Sequence, residues 1–396
     1  MNSLIIEKYP HLTFKKDWEL DEETYFILGQ CDCSVRAISD MPITPDYREE
    51  LLTVSLTKGA QSTTAIEGNS LSDEEVLKIK DGESLPPSKE YQEKEVKNLI
   101  NALQVLIGEV KIGNHKTLIT PELIKRLHKM IGEGLGEYFA AIPGEFRNNN
   151  VTVSNYRPPD SLYVENLITE LCDWFKIEFH FEKGQLFTDY IIQALVAHVY
   201  IAWIHPFSDG NGRTARLLEY YLLLRGGTPV IAAHILSNYY NDTRNEYYRH
   251  ISLSTEKKSL TPFIKYAILG LRDGLNEILK KIQKNQLEIS WKNFIIQKFD
   301  ERKYRSKIVK KRQRYLMLKF PLETKLTINE ILTLDARIAL SYAAPSDEKN
   351  PSKSNIKSVL KIRRDIIELE EMGLLKKEDN KYFCNYRVLH ITNSGN

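Results

Sequence analysis

Cysteine is scarce in this chain, and the four present, Cys31, Cys33, Cys172 and Cys384, make neither a disulfide framework nor a zinc box. Only Cys31 and Cys33 are close, and no second pair accompanies them. Free thiols in a reducing, cytoplasmic setting are the expectation. Charge bias is missing as well: 55 basic residues face 53 acidic ones. That balance gives no global reason for a nucleic-acid or membrane partner. The N-terminus, Met1-Asn2-Ser3-Leu4-Ile5-Ile6, lacks the apolar core of a signal peptide. The most apolar run, Tyr190 to Ile204, is short and carries Gln193 and His198, so no membrane span is expected. No internal repeat occurs. Strand patterns are nearly absent before residue 290, which argues against a doubly wound sheet.

What the chain has is helical patterning. Leu51, Leu52, Leu56 and Ala60 share a face of a helix that runs into Glu67-Gly68-Asn69. Ser72 to Glu75 reads as a capping box, and Thr120-Pro121 as a cap with proline at the first helical position. Further helices fit Tyr91–Val110, Leu162–Phe179, Tyr190–Ile204, Leu217–Leu224, Tyr239–Leu253 and Pro262–Leu279, the last extending toward Lys298. Between them, Phe146 to Asp160 alternates around an asparagine run and predicts a small β-hairpin. The window Glu301–Lys319 then concentrates nine basic residues against one acid. Beyond it, Thr327–Glu330 is a second capping box and Ser354–Met372 a helix with Ile356, Val359, Leu360, Ile366 and Ile367 as its apolar face. Leu374–Lys377 and Lys381–Cys384 read as a hairpin, so a winged helix-turn-helix is expected at the C-terminus. Lys353, Lys357, Lys361, Arg363 and Arg364 on its candidate recognition helix leave two roles open, DNA binding and protein docking.

One stretch carries chemistry: His205-Pro206-Phe207-Ser208-Asp209-Gly210-Asn211-Gly212-Arg213-Thr214-Ala215-Arg216, set between two apolar helices. Glycines let backbone N–H groups converge, and a helix N-terminus adds positive potential. Arg213 and Arg216 sit three apart on the first helical turn, where they can flank a polyphosphate. Asp209 would repel phosphate unless Mg²⁺ bridges the two. His205 is placed to act as a general base.

The string His205-x-Phe207-x-Asp209-Gly210-Asn211-Gly212-Arg213-x-x-Arg216 resembles the motif of the Fic family at every fixed position. The resemblance extends over residues from about 45 to 280 and implies a Fic-type helical bundle whose small β-hairpin is a target-docking flap. It also implies transfer of AMP from ATP to a hydroxyl of a target protein, or of the chain itself. On that basis His205 would deprotonate the hydroxyl and Asp209 would hold Mg²⁺. Gly210, Asn211 and Gly212 would cradle the phosphates, and Arg213 and Arg216 would bind the β and γ groups. Phe207 would anchor the loop. Ser237, Tyr239, Arg244, Tyr247 and Tyr248 resemble the family's nucleotide-side helix, so Tyr239 and Tyr247 are candidates for the adenine border.

Thr63-x-x-x-Glu67-Gly68 resembles the inhibitory helix motif of the same family, which implies that Glu67 pairs with Arg216 and obstructs the γ-phosphate. The expected organisation is a mainly α chain. It has an N-terminal helical region at 1–110 with the inhibitory helix at about 47–69, and a catalytic core at 111–285. A basic linker helix at 286–325 and a winged-helix domain at 326–396 follow. A homodimer stays open. Two alternatives remain beside AMP transfer: a DNA-binding regulator that binds nucleotide with little turnover, and a Fic enzyme of other chemistry, such as AMP removal or phosphate transfer.

Overall fold

The computed structural model describes residues 7–113, 118–179, 187–343 and 351–389, and the side chains of 351–355 lie outside that description. The expected polar loop at Pro345 and the side chain of Lys353 therefore fall outside the described residues. The chain divides into two units, Met1–Lys280 and Lys281–Asn396. No division falls at 110/111.

In the first unit α1 (Glu22–Asp40) starts at Asp21, whose carboxylate accepts from the Thr24 N–H. Helix α2 (Pro45–Ala65) is capped by Thr44 with proline at its first turn, and α3 (Asp73–Lys80) opens on the reciprocal Ser72–Glu75 capping box. Then come α4 (Glu90–Lys111), α5 (Pro121–Gly132), α6 (Val164–Glu178), α7 (Phe187–Ile204) and α8 (Asn211–Arg225). The unit continues through α9 (Ile235–Asp242) and α10 (Arg244–Lys257) into the first part of α11 (Thr261–Glu301).

The core is the α7–α8 pair, buried on nearly every face. By length and composition α7 could cross a membrane, but 72% of it is buried inside the unit, as befits a central core helix. Helix α2 packs on α9 at Gly59, where an added β-carbon would stand 2.8 Å from the His234 Cβ. That glycine lets the helix carrying Glu67 lie against the core.

Four expectations need correction here. The segment expected as one helix from Tyr239 breaks at Thr243, whose hydroxyl takes the Tyr239 carbonyl at 2.6 Å and meets the Tyr266 hydroxyl at 2.5 Å. The expected hairpin flap has no paired strands; a single β-bridge, Val153↔Tyr156, closes it around Ser154. Arg147 explains why: its guanidinium takes the carbonyls of Asn149 and Pro159, which a ladder would need, and Pro158 and Pro159 bring no N–H.

The third correction concerns 286–325. It is not a single linker helix, since α11 stops at Glu301 and α12 (Lys307–Lys319) starts afresh on a Ser306 cap. Trp291, Ile295, Phe299, Leu316, Met317 and Phe320 put it in the core of the second unit, and its Arg312 pairs there with buried Asp365. This unit goes on with α13 (Ile328–Leu332), α14 (Ala336–Tyr342), α15 (Pro351–Glu371), β1 (Leu375–Glu378) and β2 (Lys381–Cys384). The strands pair antiparallel, with Leu375 opposite Cys384 and a two-residue turn at Asp379-Asn380, both left-handed. Leu326 adds a third, one-residue bridge to Tyr382.

The apolar face expected for α15 is also rotated. Ile362, Ile366 and Leu369 are buried, whereas Ile356, Leu360 and Ile367 are exposed. Asp365 turns the helix: it lies 3% exposed and takes the Arg312 guanidinium at 2.7 and 2.8 Å and the Tyr342 hydroxyl at 2.7 Å.

Candidate active site

The loop between α7 and α8 is closed from inside. Asn211, at the first position of α8, accepts the Phe207 N–H at 2.9 Å and donates to the Phe207 carbonyl at 2.8 Å. Its side chain is thereby committed to the loop, and its backbone N–H joins those at the start of α8. Gly210 takes the N-cap with φ 77 and supplies no side-chain cap, which leaves the first N–H groups of α8 for a ligand. Phe207 is fully buried and stacks on His128, ring centroids 3.6 Å apart. His128 Nδ1 accepts the Gly144 N–H at 2.9 Å, so Nε2 carries the proton and donates to the Asp209 carbonyl at 3.0 Å. Burial pushes the His128 pKa down to about 4, which keeps the ring neutral.

His205 has a left-handed backbone, φ 51, and its N–H continues the α7 ladder to the Ile201 carbonyl. Arg147 fixes this conformation: its Nε donates to the His205 carbonyl at 2.7 Å, and its own backbone N–H to the Pro206 carbonyl at 2.9 Å. Burial is the chief reason that the His205 pKa falls to about 4, with Arg147 adding to it and the Glu67 and Asp209 charges opposing it. The imidazole is neutral at pH 7, the form that can accept a proton.

Both arginines are buried against carboxylates. Arg213 pairs with Glu95 through Nη1 and with Asp209 through Nη2 at 2.8 Å, and its guanidinium lies 5.3 Å over the Phe139 ring. Arg216 is 1% exposed; its Nη2 donates to the Thr63 carbonyl at 3.0 Å and to Glu67 Oε1 at 2.5 Å. Among the described residues no acceptor reaches Arg216 Nε or Nη1, nor Arg213 Nε.

Glu67 stands on the turn just past α2, where Gly68 takes φ 101. Burial would raise its pKa, but the charge and hydrogen bond of Arg216, with help from Arg213 and Arg244, bring it net below the ordinary value. Its carboxylate reaches Arg216 across Gly212, and a β-carbon on residue 212 would collide with Glu67 Oε1. Two residues on, Asn69 Nδ2 donates to Glu95 Oε2 at 2.9 Å.

The structure therefore brings together His205, Asp209, Gly210, Asn211, Gly212, Arg213, Arg216 and Glu67. Tyr247 is 3% exposed, and its hydroxyl meets His198 Nε2 at 2.9 Å, in the core behind α8. Tyr239 does not join. Its ring packs over Gly270 and Tyr266, where it fills a notch between α9 and α11. Sequence reasoning missed three residues: Glu95, Arg147 and His128. Glu95 and His128 each sit in phase with a buried apolar stripe, Val96-Leu99-Leu103 and Ile124-Leu127-Ile131, and a charged or imidazole side chain there was the available signal. Arg147 has no periodic context that would reveal it.

No group of three His, Cys, Asp or Glu side chains suited to a metal occurs among the described residues. Asp209 offers one carboxylate, 31% exposed, whose Oδ2 takes only the Ala140 N–H at 3.3 Å. Magnesium accepts such a donor set when phosphate and water complete it.

Residues 118–223 match the family model described as Fic/DOC family, and the chain carries a Fic domain there. It is 30% identical over 205 residues to the protein adenylyltransferase fic-1 of Caenorhabditis elegans, a match over 52% of this chain and 37% of that one. To the protein adenylyltransferase Fic of Nematostella vectensis it is 28% identical, over 52% of this chain and 44% of that one. The chain thus spans less than half the length of these curated relatives. Among solved structures, a Fic family protein from Desulfovibrio desulfuricans G20 superposes with a TM-score of 0.54 at 17% identity, over 96% of this chain and 99% of that one. A C. elegans Fic-1 fragment gives 0.52 at 23%, over 66% and 73%. These two likenesses show the fold alone.

Proposed function

We propose that this Fic-domain chain is an autoinhibited protein adenylyltransferase, transferring AMP from ATP to a serine, threonine or tyrosine hydroxyl of a target protein or of itself. The observation that carries this reading is Arg216, whose buried Nε and Nη1 face no acceptor among the described residues. Each unmet buried donor costs about 1–3 kcal/mol, and a phosphate supplies several anionic acceptors at once. The open N-terminus of α8 and the second arginine, Arg213, face the same ligand. Relatives named protein adenylyltransferase support the reaction class.

In the reaction so read, the target hydroxyl oxygen bonds to the α-phosphorus, the bond from that phosphorus to the bridging oxygen breaks, and pyrophosphate leaves. The hydroxyl proton goes to neutral His205. The backbone N–H groups at Gly210 to Gly212 and the two guanidiniums hold the phosphate oxygens and absorb the charge of the departing pyrophosphate. Phosphates beside His205 also raise its pKa toward the working pH. Asp209 would hold Mg²⁺, which when bound supplies charge neutralisation for the phosphates. Glu67 is the brake: while it occupies Arg216, that guanidinium cannot also take the γ-phosphate.

The test is incubation of the parent, Glu67→Gly and His205→Ala proteins with α-labelled ATP and magnesium, followed by mass spectrometry of the modified residue. The reading expects strong labelling for Glu67→Gly, weak labelling for the parent and none for His205→Ala. Equal, low labelling of parent and Glu67→Gly would remove the brake, and ATP binding without any labelled protein would favour a nucleotide-sensing regulator. A mass gain of a phosphate rather than AMP, or loss of AMP from a premodified target, would reassign the chemistry.

For the second unit we infer a winged helix-turn-helix, supported by the helices α12 to α15 leading into the β1–β2 hairpin. Exposed Ile356, Leu360 and Ile367 beside Arg363 and Arg364 favour docking on protein, a second copy included, over DNA. A salt-dependent gel shift with random duplex is the check, since phosphate binding by those cations would weaken steeply with salt. Four free cysteines fit a cytoplasmic setting.

A further inference from the structure

Glu95 touches both halves of the candidate switch, and each carboxylate oxygen has its own task. Oε1 takes Arg213 Nη1, and Oε2 accepts from Asn69 Nδ2 at 2.9 Å. Glu95 lies on α4, is 5% exposed, and among the described residues these are its two hydrogen-bond partners. Asn69 belongs to the same short turn as Glu67. Its Nδ2 also donates to the Gln92 carbonyl at 3.1 Å, and its Oδ1 accepts the Leu71 N–H at 3.1 Å. The turn is thus held at two points: Glu67 on Arg216 and Asn69 on Glu95. Gly68 between them, at φ 101, gives the backbone no side-chain packing of its own.

We propose that Glu95 is a positioning residue with a double duty: it aims Arg213 at the nucleotide phosphates and, through Asn69, ties down the turn that presents Glu67 to Arg216. The inference rests on the reading of Glu67 as a brake and names the anchor of that brake. The two arginines at the start of α8 are then governed by one buried carboxylate on α4 rather than by Glu67 alone. Removing the tie at Asn69 disturbs neither guanidinium directly, yet frees the brake. Removing the charge at Glu95 frees the brake and also misaims Arg213.

The experiment uses the full chain in parent, Asn69→Ala, Glu95→Gln, Glu67→Gly, Glu67→Gly/Asn69→Ala and Glu67→Gly/Glu95→Gln forms. Hydrogen exchange is followed at the Glu67 and Gly68 amides, whose own bonds run to Thr64 and Ala65 and not to Asn69. Loss of one buried hydrogen bond corresponds to about ten-fold faster exchange at those amides in Asn69→Ala and in Glu95→Gln. Exchange accelerated at Leu71 only, which loses its bond to the Asn69 side chain, would overturn the tie. Exchange needs no catalysis, so it decides the matter even if Glu67→Gly shows no AMP transfer and the functional reading falls.

Where transfer is seen, Asn69→Ala raises it in the parent and adds nothing in the Glu67→Gly background. Glu95→Gln in that background raises the KM for ATP about ten-fold with kcat nearly unchanged, as loss of one charged contact to bound substrate would. Asn69→Ala that activates equally in both backgrounds, or Glu95→Gln that leaves the KM unmoved, would refute the double duty.

Discussion

Glu67 Oε1 stands 2.5 Å from Arg216 Nη2, in the space that a β-carbon on residue 212 would occupy. The glycine that suits a phosphate loop is therefore also the one that lets the carboxylate in. The two roles can be separated by stability as well as by activity.

Gly212→Ala in the parent forces Glu67 off Arg216 or shifts α8, an overpacking cost of about 1–3 kcal/mol. In the Glu67→Gly background the obstructing oxygen is gone, so the same substitution costs less. Urea unfolding of the four proteins in this cycle gives the coupling. Equal costs in both backgrounds would show that Glu67 does not occupy that space.

Arg147→Ala strands the carbonyls of His205, Asn149 and Pro159, which the guanidinium now serves. Buried acceptors left without partners cost about 1–3 kcal/mol each. Melting at least several degrees below the parent is expected, with AMP transfer of the Glu67→Gly form reduced because His205 is no longer held. A protein that melts like the parent would show that water replaces the guanidinium at little cost.

Acid should weaken the first unit through its buried histidines. Burial lowers the pKa of His11, His128, His205 and His234 to about 4. The unfolded chain takes up protons at these groups near the ordinary histidine value while the folded chain does not, so their stabilising contribution is complete above about pH 6.5. It is lost progressively as the pH falls from there toward 4. Melting temperature against pH should decline across that window, and His234→Gln should flatten the decline. A melting temperature level from pH 7 to 4.5 would contradict the buried, neutral state of these rings.

In the second unit, Asp365→Ala leaves Arg312 with no carboxylate and the Tyr342 hydroxyl with no acceptor in the core. Breaking one side of a buried pair costs about 3–5 kcal/mol. Calorimetry should show a transition of the second unit moved down while that of the first stays put. Movement of both transitions would mean that the two units unfold as one.

How much of this was legible in the sequence depends on how far apart the partners lie. Residues 205 to 216 bring their chemistry within one loop and one helical turn, so spacing alone pointed to a candidate anion site there. The Arg213 carboxylate is 118 positions away, on a helix whose apolar phase disguises it. The face of α15 was misread for the same reason. Hydropathy placed Leu360 inside and could not know that Arg312, on another helix, makes a buried Asp365 tolerable. The flap failed as a hairpin because one arginine side chain competes for its carbonyls, a contest that alternation cannot register.

The clamp of Asn211 on Phe207 has a kinetic consequence. A loop already fastened through both its N–H and its C=O needs no ordering when a nucleotide arrives. Release of the proposed brake then needs the Glu67 turn to let go of Arg216 and Glu95, with no rebuilding of the loop between α7 and α8. Superposed main chains of that loop with and without nucleotide would hardly differ.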